Sequence, residues 1–172
     1  MKKHSGLRPQ DIVILLKIIA LDGQSWMMKD LAHSLGISNS EVSESLNRSV
    51  LSGFIDPSKK NVFRKSLLEF LQHGFKYVYP QRPGTITRGI PTAHSAPPLK
   101  NHFKSGENFV WPSAQGNERG LAIEPLYPGV VQAAQKDKQL YELLTLLDAI
   151  RVGKVREQKM AMEYLEKKIL NA

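Results

Sequence analysis

The chain of 172 residues predicts a mainly α-helical fold with a small β component, an α+β class. Apolar residues recur at three- and four-residue spacing before residue 80 and after residue 128, which is typical of amphipathic helices. Two short apolar pieces flank the turn-forming letters DPSKKN at residues 56–61, and these predict a small β hairpin. Between the helical parts, residues 80–128 hold eight of the ten prolines and five glycines. We therefore expect three parts, with the bounds 1–79, 80–128 and 129–172.

The first part is predicted to contain three successive helices. The first begins at Pro9, because proline suits the first helical position. The second covers about 28–35. The third, 39–52, has the clearest start, because Ser38 and Glu41 have the spacing of a capping box, in which each residue satisfies a backbone amide of the other.

Three less regular segments follow from local patterns. Residues 24–28 form a short apolar piece that predicts a strand, and the alternating letters FKYVY at 75–79 predict another. Ser66 with Glu69 has the spacing of a second capping box and predicts the start of a further helix.

The segment 80–128 is far longer than the roughly 12–15 residues of an ordinary loop. Its apolar content exceeds that of a typical disordered tail, so we expect an irregular but ordered arm, docked on its own domain or on a partner. Beyond it, a short helix and two amphipathic helices within 137–170, separated by Gly153, predict a C-terminal helical hairpin. This hairpin is the candidate dimerisation or partner-binding element.

Positive charge is concentrated in one stretch of the chain. Residues 57–104 contain nine lysines and arginines against Glu69 alone, which accounts for the entire formal net charge of +8. A concentrated basic segment is expected of a protein that binds a polyanion, nucleic acid first, while a solvated basic surface is the alternative.

Several function classes lack the residues they need. The chain has no cysteine, so it has no disulfide or thiolate site, and a cytoplasmic location is expected. The apolar run IVILLKIIAL is about half of the roughly 20 residues that a membrane span requires, so it predicts a buried helix. No zinc-protease or phosphate-loop motif is present, and His94 and His102 lack a third metal ligand. We expect no enzymatic activity, catalytic residue, metal or cofactor.

A set of apolar and glycine positions has the spacing of a known DNA-binding motif. The set comprises Leu31, Ala32, Leu35, Gly36, Ile37, Val42 and Leu46, followed by the letters LSGFI. With these residues, positions 9–64 resemble a winged helix-turn-helix of the type found in MarR-like bacterial transcriptional regulators. The resemblance covers about one third of the chain.

By this resemblance, the helix at 39–52 enters the major groove with its N-terminal residues toward the base edges. Val42 and Leu46 take the inner side, and the residues left near DNA are Ser38, Asn39, Ser40, Ser43, Glu44, Asn47 and Arg48. The wing residues Lys59, Lys60 and Arg64 would contact phosphates or the minor groove.

Glu44 departs from the resemblance, because such regulators often have a basic residue there. It is expected to pair with Arg48 at i,i+4 spacing. It could instead accept a hydrogen bond from cytosine N4, or this surface does not meet DNA.

The resemblance implies a homodimeric transcriptional regulator, a repressor, that binds double-stranded DNA at a pseudo-palindromic site. The alternative is an antitoxin-like or accessory protein-binding module whose arm at 80–128 wraps a partner enzyme, and which also regulates its own operon. Phe109 and Trp111 are the candidate partner-binding residues, because aromatic side chains anchor interfaces.

Overall fold

The structure is a computed structural model that describes residues 6–104 and 106–171. This described part is mixed α/β, with eight α-helices and one sheet of three strands. The helices are α1 (Pro9–Ala20), α2 (Met28–Leu35), α3 (Asn39–Leu51), α4 (Arg64–His73), α5 (Phe75–Val78), α6 (Val130–Gln135), α7 (Lys138–Val152) and α8 (Val155–Leu170). The strands are β1 (Ile86–Pro91), β2 (Phe109–Pro112) and β3 (Glu118–Ala122). Within these two ranges no helix is long and apolar enough to cross a membrane.

Helix α1 lies at the centre of the core. It begins at Pro9, as predicted, and residues 12–16 are fully buried. Burying one large aliphatic side chain contributes about 1.5–3 kcal/mol, so this run is a major source of stability. Both α3 and α7 pack against α1, which therefore joins the N-terminal helices to the C-terminal hairpin.

The connection between α2 and α3 is tight and locally determined. Gly36 ends α2 in the left-handed conformation, with a φ of 67°, which glycine adopts without strain. The Ser38 hydroxyl then accepts from the Glu41 amide at 3.2 Å, and the Glu41 carboxylate accepts from the Ser38 amide at 2.9 Å. The predicted capping box is confirmed.

The predicted hairpin around residues 56–61 is reduced to one antiparallel bridge, between Ile55 and Val62. Asp56 organises the turn, because its carboxylate accepts from the backbone amide of Asn61 at 3.0 Å and from its side-chain amide at 2.7 Å. These bonds hold the pKa of Asp56 well below its usual range. One side chain thus satisfies the turn in place of a longer strand ladder.

Residues 80–128 are not the irregular arm that the sequence predicts, because they contain the sheet. Strand β1 pairs antiparallel with β2 and with β3, and β2 pairs parallel with β3, so each strand bonds to both of the others. Gly89 permits this closure, since a Cβ there would lie 1.9 Å from the carbonyl oxygen of Trp111. Strands this short, with glycine at a close approach, carry no clear periodicity in the sequence.

One buried carboxylate fixes the sheet region to α7. Asp148 Oδ2 accepts from the Thr92 hydroxyl at 2.6 Å and from Trp111 Nε1 at 2.7 Å. Its other oxygen, Oδ1, accepts from Arg151 Nη2 at 2.8 Å. Both oxygens therefore have partners, as a carboxylate that is 2% exposed requires.

The C-terminal hairpin is present, with α7 and α8 packed against each other on either side of Gly153. Residues 143–150 of α7 are all buried, and this helix also contacts α1, α5 and α6. Helix α7 is therefore a core element of its own chain.

Two predicted strands are wrong. Residues 24–28, all of which are described, belong to no strand, because the Met27 amide donates to the Asp30 carboxylate at 2.8 Å and the chain enters α2 there. Residues 75–79 contain α5 instead of a strand. Phe75 is fully buried in the core, and this tertiary contact outweighs the alternating pattern.

Helix α4 begins at Arg64, ahead of the predicted start at Ser66. The chain is already helical at Arg64, whose guanidinium Nη1 donates to the carbonyl oxygen of Ile169 at 2.6 Å. Helix α4 therefore begins earlier than the Ser66 motif predicts, at a residue that contacts the end of α8.

Candidate functional site

The exposed side of α3 carries the polar residues that the sequence predicts near DNA. Ser38, Asn39, Ser40, Glu44 and Asn47 are exposed, and Ser43 is half-buried. We call these six residues the α3 face. Val42 and Leu46 are buried on the opposite side, because residues three and four apart share one side of a helix.

Glu41 is a capping residue, and its carboxylate accepts hydrogen bonds from the Ser38 amide and hydroxyl. The backbone N–H and then the hydroxyl of Ser38 lower the pKa of the Glu41 carboxyl below its ordinary value. Its carboxylate is directed at the N-terminal turn of α3, where the helix dipole also favours negative charge. Glu41 is therefore weak evidence against a polyanionic partner.

Arg48 is not part of the α3 face, and its predicted role in DNA binding is wrong. Its Nε donates to Asp11 Oδ2 at 2.8 Å, and its Nη2 donates to Asp11 Oδ1 at 2.7 Å. Asp11 is fully buried, and its hydrogen bonds raise the pKa of Arg48. The predicted salt bridge between Glu44 and Arg48 is also wrong, because the guanidinium is turned toward α1.

The three predicted wing residues have different surroundings. Lys60 Nζ donates to the carbonyl oxygen of Trp26 at 2.8 Å and lies 3.9 Å from the centre of the indole ring. Arg64 is bound to the end of α8, so it is not available on the wing. Within the described residues, the ammonium group of Lys59 has no hydrogen bond or ion pair, and its φ is 63°.

An apolar patch lies beside the α3 face. Met27 is 59% exposed and Met28 is 40% exposed. With Lys29, Lys60 and the first turn of α3, they line a shallow cavity of about 610 Å³. Sequence reasoning missed this patch, because it assigned both methionines to the predicted strand at 24–28. In the structure, the buried side of α2 begins at Leu31, one turn after Met28.

Phe109 and Trp111 are core residues, which corrects their predicted role as partner-binding anchors. Phe109 is 9% exposed and Trp111 is 2% exposed. The Trp111 indole packs edge-on against Tyr141, with 5.8 Å between the ring centres. Because both aromatics pack inside the chain, they are not exposed to wrap a partner enzyme.

The two arm histidines each contact a protein oxygen atom. His94 is buried, with its Nε2 3.0 Å from the carbonyl oxygen of Glu107. His102 Nε2 lies 3.0 Å from the Tyr164 hydroxyl. In the part of the chain that the structure describes, no group of three or more His, Asp or Glu side chains is arranged to hold a metal ion.

Comparison with known proteins adds no family to this description. No protein-family model, no curated protein and no solved structure matches the chain. A functional assignment therefore depends on the chemistry of the α3 face and of the residues around it.

Proposed function

We propose that this protein is a homodimeric transcriptional regulator that binds duplex DNA through the α3 face, as its resemblance to winged helix-turn-helix regulators implies. One observation supports the proposal above all: three kinds of contact meet on one surface. Exposed amides and hydroxyls of α3 lie beside the apolar side chains of Met27 and Met28 and the ammonium groups of Lys29 and Lys60. The major groove of DNA offers three matching features, namely base edges, thymine methyl groups and flanking phosphates.

Asn39 and Asn47 are the proposed base-reading residues. A carboxamide can form two hydrogen bonds with adenine, and both side chains are exposed. They are separated by about 12 Å along the helix axis. This span corresponds to roughly three to four base pairs, so the two residues would read different positions of one half-site.

Glu44 lies between these asparagines along α3. Because Arg48 bonds to Asp11, the Glu44 carboxylate is not neutralised by its i,i+4 neighbour. We propose that it accepts from the amino group of cytosine. Guanine and thymine present only acceptors or a methyl group there and would leave the carboxylate unpaired, so Glu44 would add selectivity and not affinity.

Selection of binding sites from a random duplex library, followed by fluorescence anisotropy at several salt concentrations, tests this function. We expect a preferred sequence that the double variant Asn39→Ala, Asn47→Ala no longer distinguishes from random DNA. The matched control is Asn101→Ala, an exposed asparagine outside the α3 face, which should bind as the wild type does. Binding that shows no dependence on salt, or no binding at all, contradicts the proposal.

The lysines should act differently from the asparagines. Lys29→Ala should weaken binding to all sequences alike and lower the salt slope by about 1, as expected for one phosphate contact. Lys59→Asn tests the wing, since asparagine tolerates the left-handed backbone at this position. Lys138→Ala, an exposed lysine at the start of α7, is the control.

The homodimer is tested by the same selection. Two copies should select two inverted half-sites about 34–36 Å apart, and analytical ultracentrifugation should show a dimer. A single half-site bound by a monomer contradicts this part of the proposal.

A further inference from the structure

A cavity of about 840 Å³ lies outside the α3 face. It is built by the chain before β1, the turn between β2 and β3, the segment after β3, and one side of α6. Its volume falls within the roughly 300–1,000 Å³ of small-molecule sites. No local motif in the sequence indicates it, because its walls come from four separate segments.

The wall chemistry is neutral and rich in amides. Arg82 and Glu124 provide one positive and one negative charge, so the cavity has no excess of either sign. Gln115, Gln132 and Gln135 are exposed there, and within residues 6–104 and 106–171 their side-chain amides have no hydrogen-bond partner. Proline rings, among them that of Pro125, supply rigid apolar wall area between the amides.

We propose that this cavity binds a purine or pyrimidine base as its uncharged nucleoside. Each glutamine carboxamide places a donor beside an acceptor, and this pair matches the adjacent donor and acceptor on the edge of a base. The proline rings and Val131 suit the apolar faces of the ring. Balanced wall charge gives no net attraction to a phosphate chain, which favours the nucleoside over its nucleotide.

The cavity is connected to the α2–α3 turn through Tyr127. This residue follows Pro125 in the chain, and its hydroxyl donates to the carbonyl oxygen of Leu35 at 2.9 Å. Leu35 is the last residue of α2, directly before the turn at Gly36. Burial and then the Glu41 carboxylate raise the pKa of Tyr127, so the phenol stays neutral and keeps its proton for this bond.

Helix α6, which forms one wall of the cavity, also packs against α2. A ligand that shifts α6 or the segment around Pro125 therefore acts on the elements that orient the α3 face. The nucleoside is thus expected to alter DNA affinity. This regulatory part rests on the DNA binding proposed above, whereas the binding site itself does not.

Isothermal titration of the full chain with adenosine, guanosine, cytidine and uridine tests the site without DNA. At least one nucleoside should bind, and the double variant Gln132→Ala, Gln135→Ala should weaken it about tenfold or more, the loss expected for a paired amide contact. Alanine preserves the helix at both positions of α6. Gln139→Ala, an exposed glutamine of α7 outside this cavity, should bind as the wild type does.

A second variant protects the test against misfolding of the first. Ala114→Trp places a large side chain at the exposed edge of the cavity, and it should abolish binding without any change in α6. Failure of all four nucleosides to bind, or equal binding by wild type and by a folded Ala114→Trp or double glutamine variant, overturns the proposal.

The regulatory part has its own readout. Tyr127→Phe removes the bond to Leu35 and keeps the cavity, so it should bind the nucleoside normally while the nucleoside no longer alters DNA affinity. Unchanged DNA affinity of the wild type at saturating nucleoside overturns the regulation. If the protein binds no DNA, the proposed function fails, and the titration still decides the binding site.

Discussion

Two buried aspartates hold two very different regions of this protein. Asp11 joins α1 to α3 within residues 9–64, where helices and caps follow from local sequence patterns. Asp148 joins α7 to residues 80–128, where the sequence shows no periodicity. Asp11 accepts two bonds from one guanidinium and a third from the nearby Arg8 backbone amide, whereas Asp148 accepts from a hydroxyl, an indole and a guanidinium. A buried carboxylate can thus either reinforce a locally specified unit or fix a segment that lacks local signals.

Removal of Asp148 should have the larger effect. Asp148→Ala leaves the buried donors of Thr92 and Trp111 without an acceptor and removes one acceptor of Arg151, and we expect a loss of about 4–5 kcal/mol in the free energy of unfolding. Urea denaturation measures it, with the exposed Glu163→Ala on α8 as the control. Thr92→Val, which removes a single bond, should cost only about 1 kcal/mol. A loss below about 1 kcal/mol for Asp148→Ala would show that the sheet region does not depend on this carboxylate.

Removing only one partner of the Asp11–Arg48 ion pair should destabilise the protein strongly, whereas replacing both partners should destabilise it much less. Asp11→Ala should lower the free energy of unfolding by about 3–4 kcal/mol, because it leaves the Arg48 guanidinium buried and unpaired. The double variant Asp11→Leu, Arg48→Met should recover most of this loss, since apolar side chains can replace a buried ion pair. It should stay about 1 kcal/mol below wild type, because leucine cannot accept the hydrogen bond from the Arg8 amide. If the double variant is as unstable as the single one, the ion pair itself specifies how α1 and α3 pack.

The capping box provides a smaller and purely local effect. Ser38→Ala removes the acceptor for the Glu41 amide and should cost about 1 kcal/mol. Ser38→Thr keeps a hydroxyl at the same place and should stay within a few tenths of wild type. Thermal unfolding measures both. Equal loss in the two variants would mean that the cap contributes through another contact.

The smallest predicted effect is a loss of stability at alkaline pH, caused by one tyrosine associated with each region. Burial and then Asp11 raise the pKa of Tyr79 to about 12, and burial and then Glu118 raise that of Tyr141 to about 12. The neutral phenol is favoured in the folded state, so this stabilisation is complete below pH 10 and is lost as the pH rises toward about 12. Tyr79 donates to the carbonyl of Leu7 and Tyr141 to that of Pro91.

Phenylalanine variants measure this pH dependence. Stability between pH 10 and about 12 should fall less steeply in Tyr79→Phe and in Tyr141→Phe than in the wild type. Tyrosinate absorbance during the titration identifies the ionising groups. Equal slopes in all three proteins would contradict the raised pKa values.

Local patterns in the sequence predicted a good part of the first region. The start of α1 at Pro9, the capping box at Ser38 and the exposed side of α3 all depend on contacts within one turn of a helix. The alternating pattern at 75–79 failed because the burial of Phe75 in the core outweighs it. The sheet in 80–128 was missed because short strands and close glycines leave little pattern in the sequence.

The features of the candidate site also fall into two groups, those that the sequence predicted and those that it did not. Asn39, Asn47 and Glu44 were placed on the exposed side by helical spacing alone. The exposed methionines of α2 and the amide-lined cavity needed the full structure, since both depend on where the core ends. Arg48 shows most clearly what local spacing does not predict. Glu44 is a plausible partner in the sequence, but Arg48 bonds to the buried carboxylate of Asp11 on α1.

The sequence by itself therefore determined the helices of residues 9–51, the cap of α3 and its polar side, because hydrogen bonds and side-chain contacts three to four residues apart specify them. The tertiary structure decided the partners of Arg48 and Trp111, each of which bonds to an aspartate 37 positions away. Such contacts leave no local pattern, because they form only when the core brings distant segments together. The same distinction separates the α3 face, which was predicted, from the cavity beside α6, which was not.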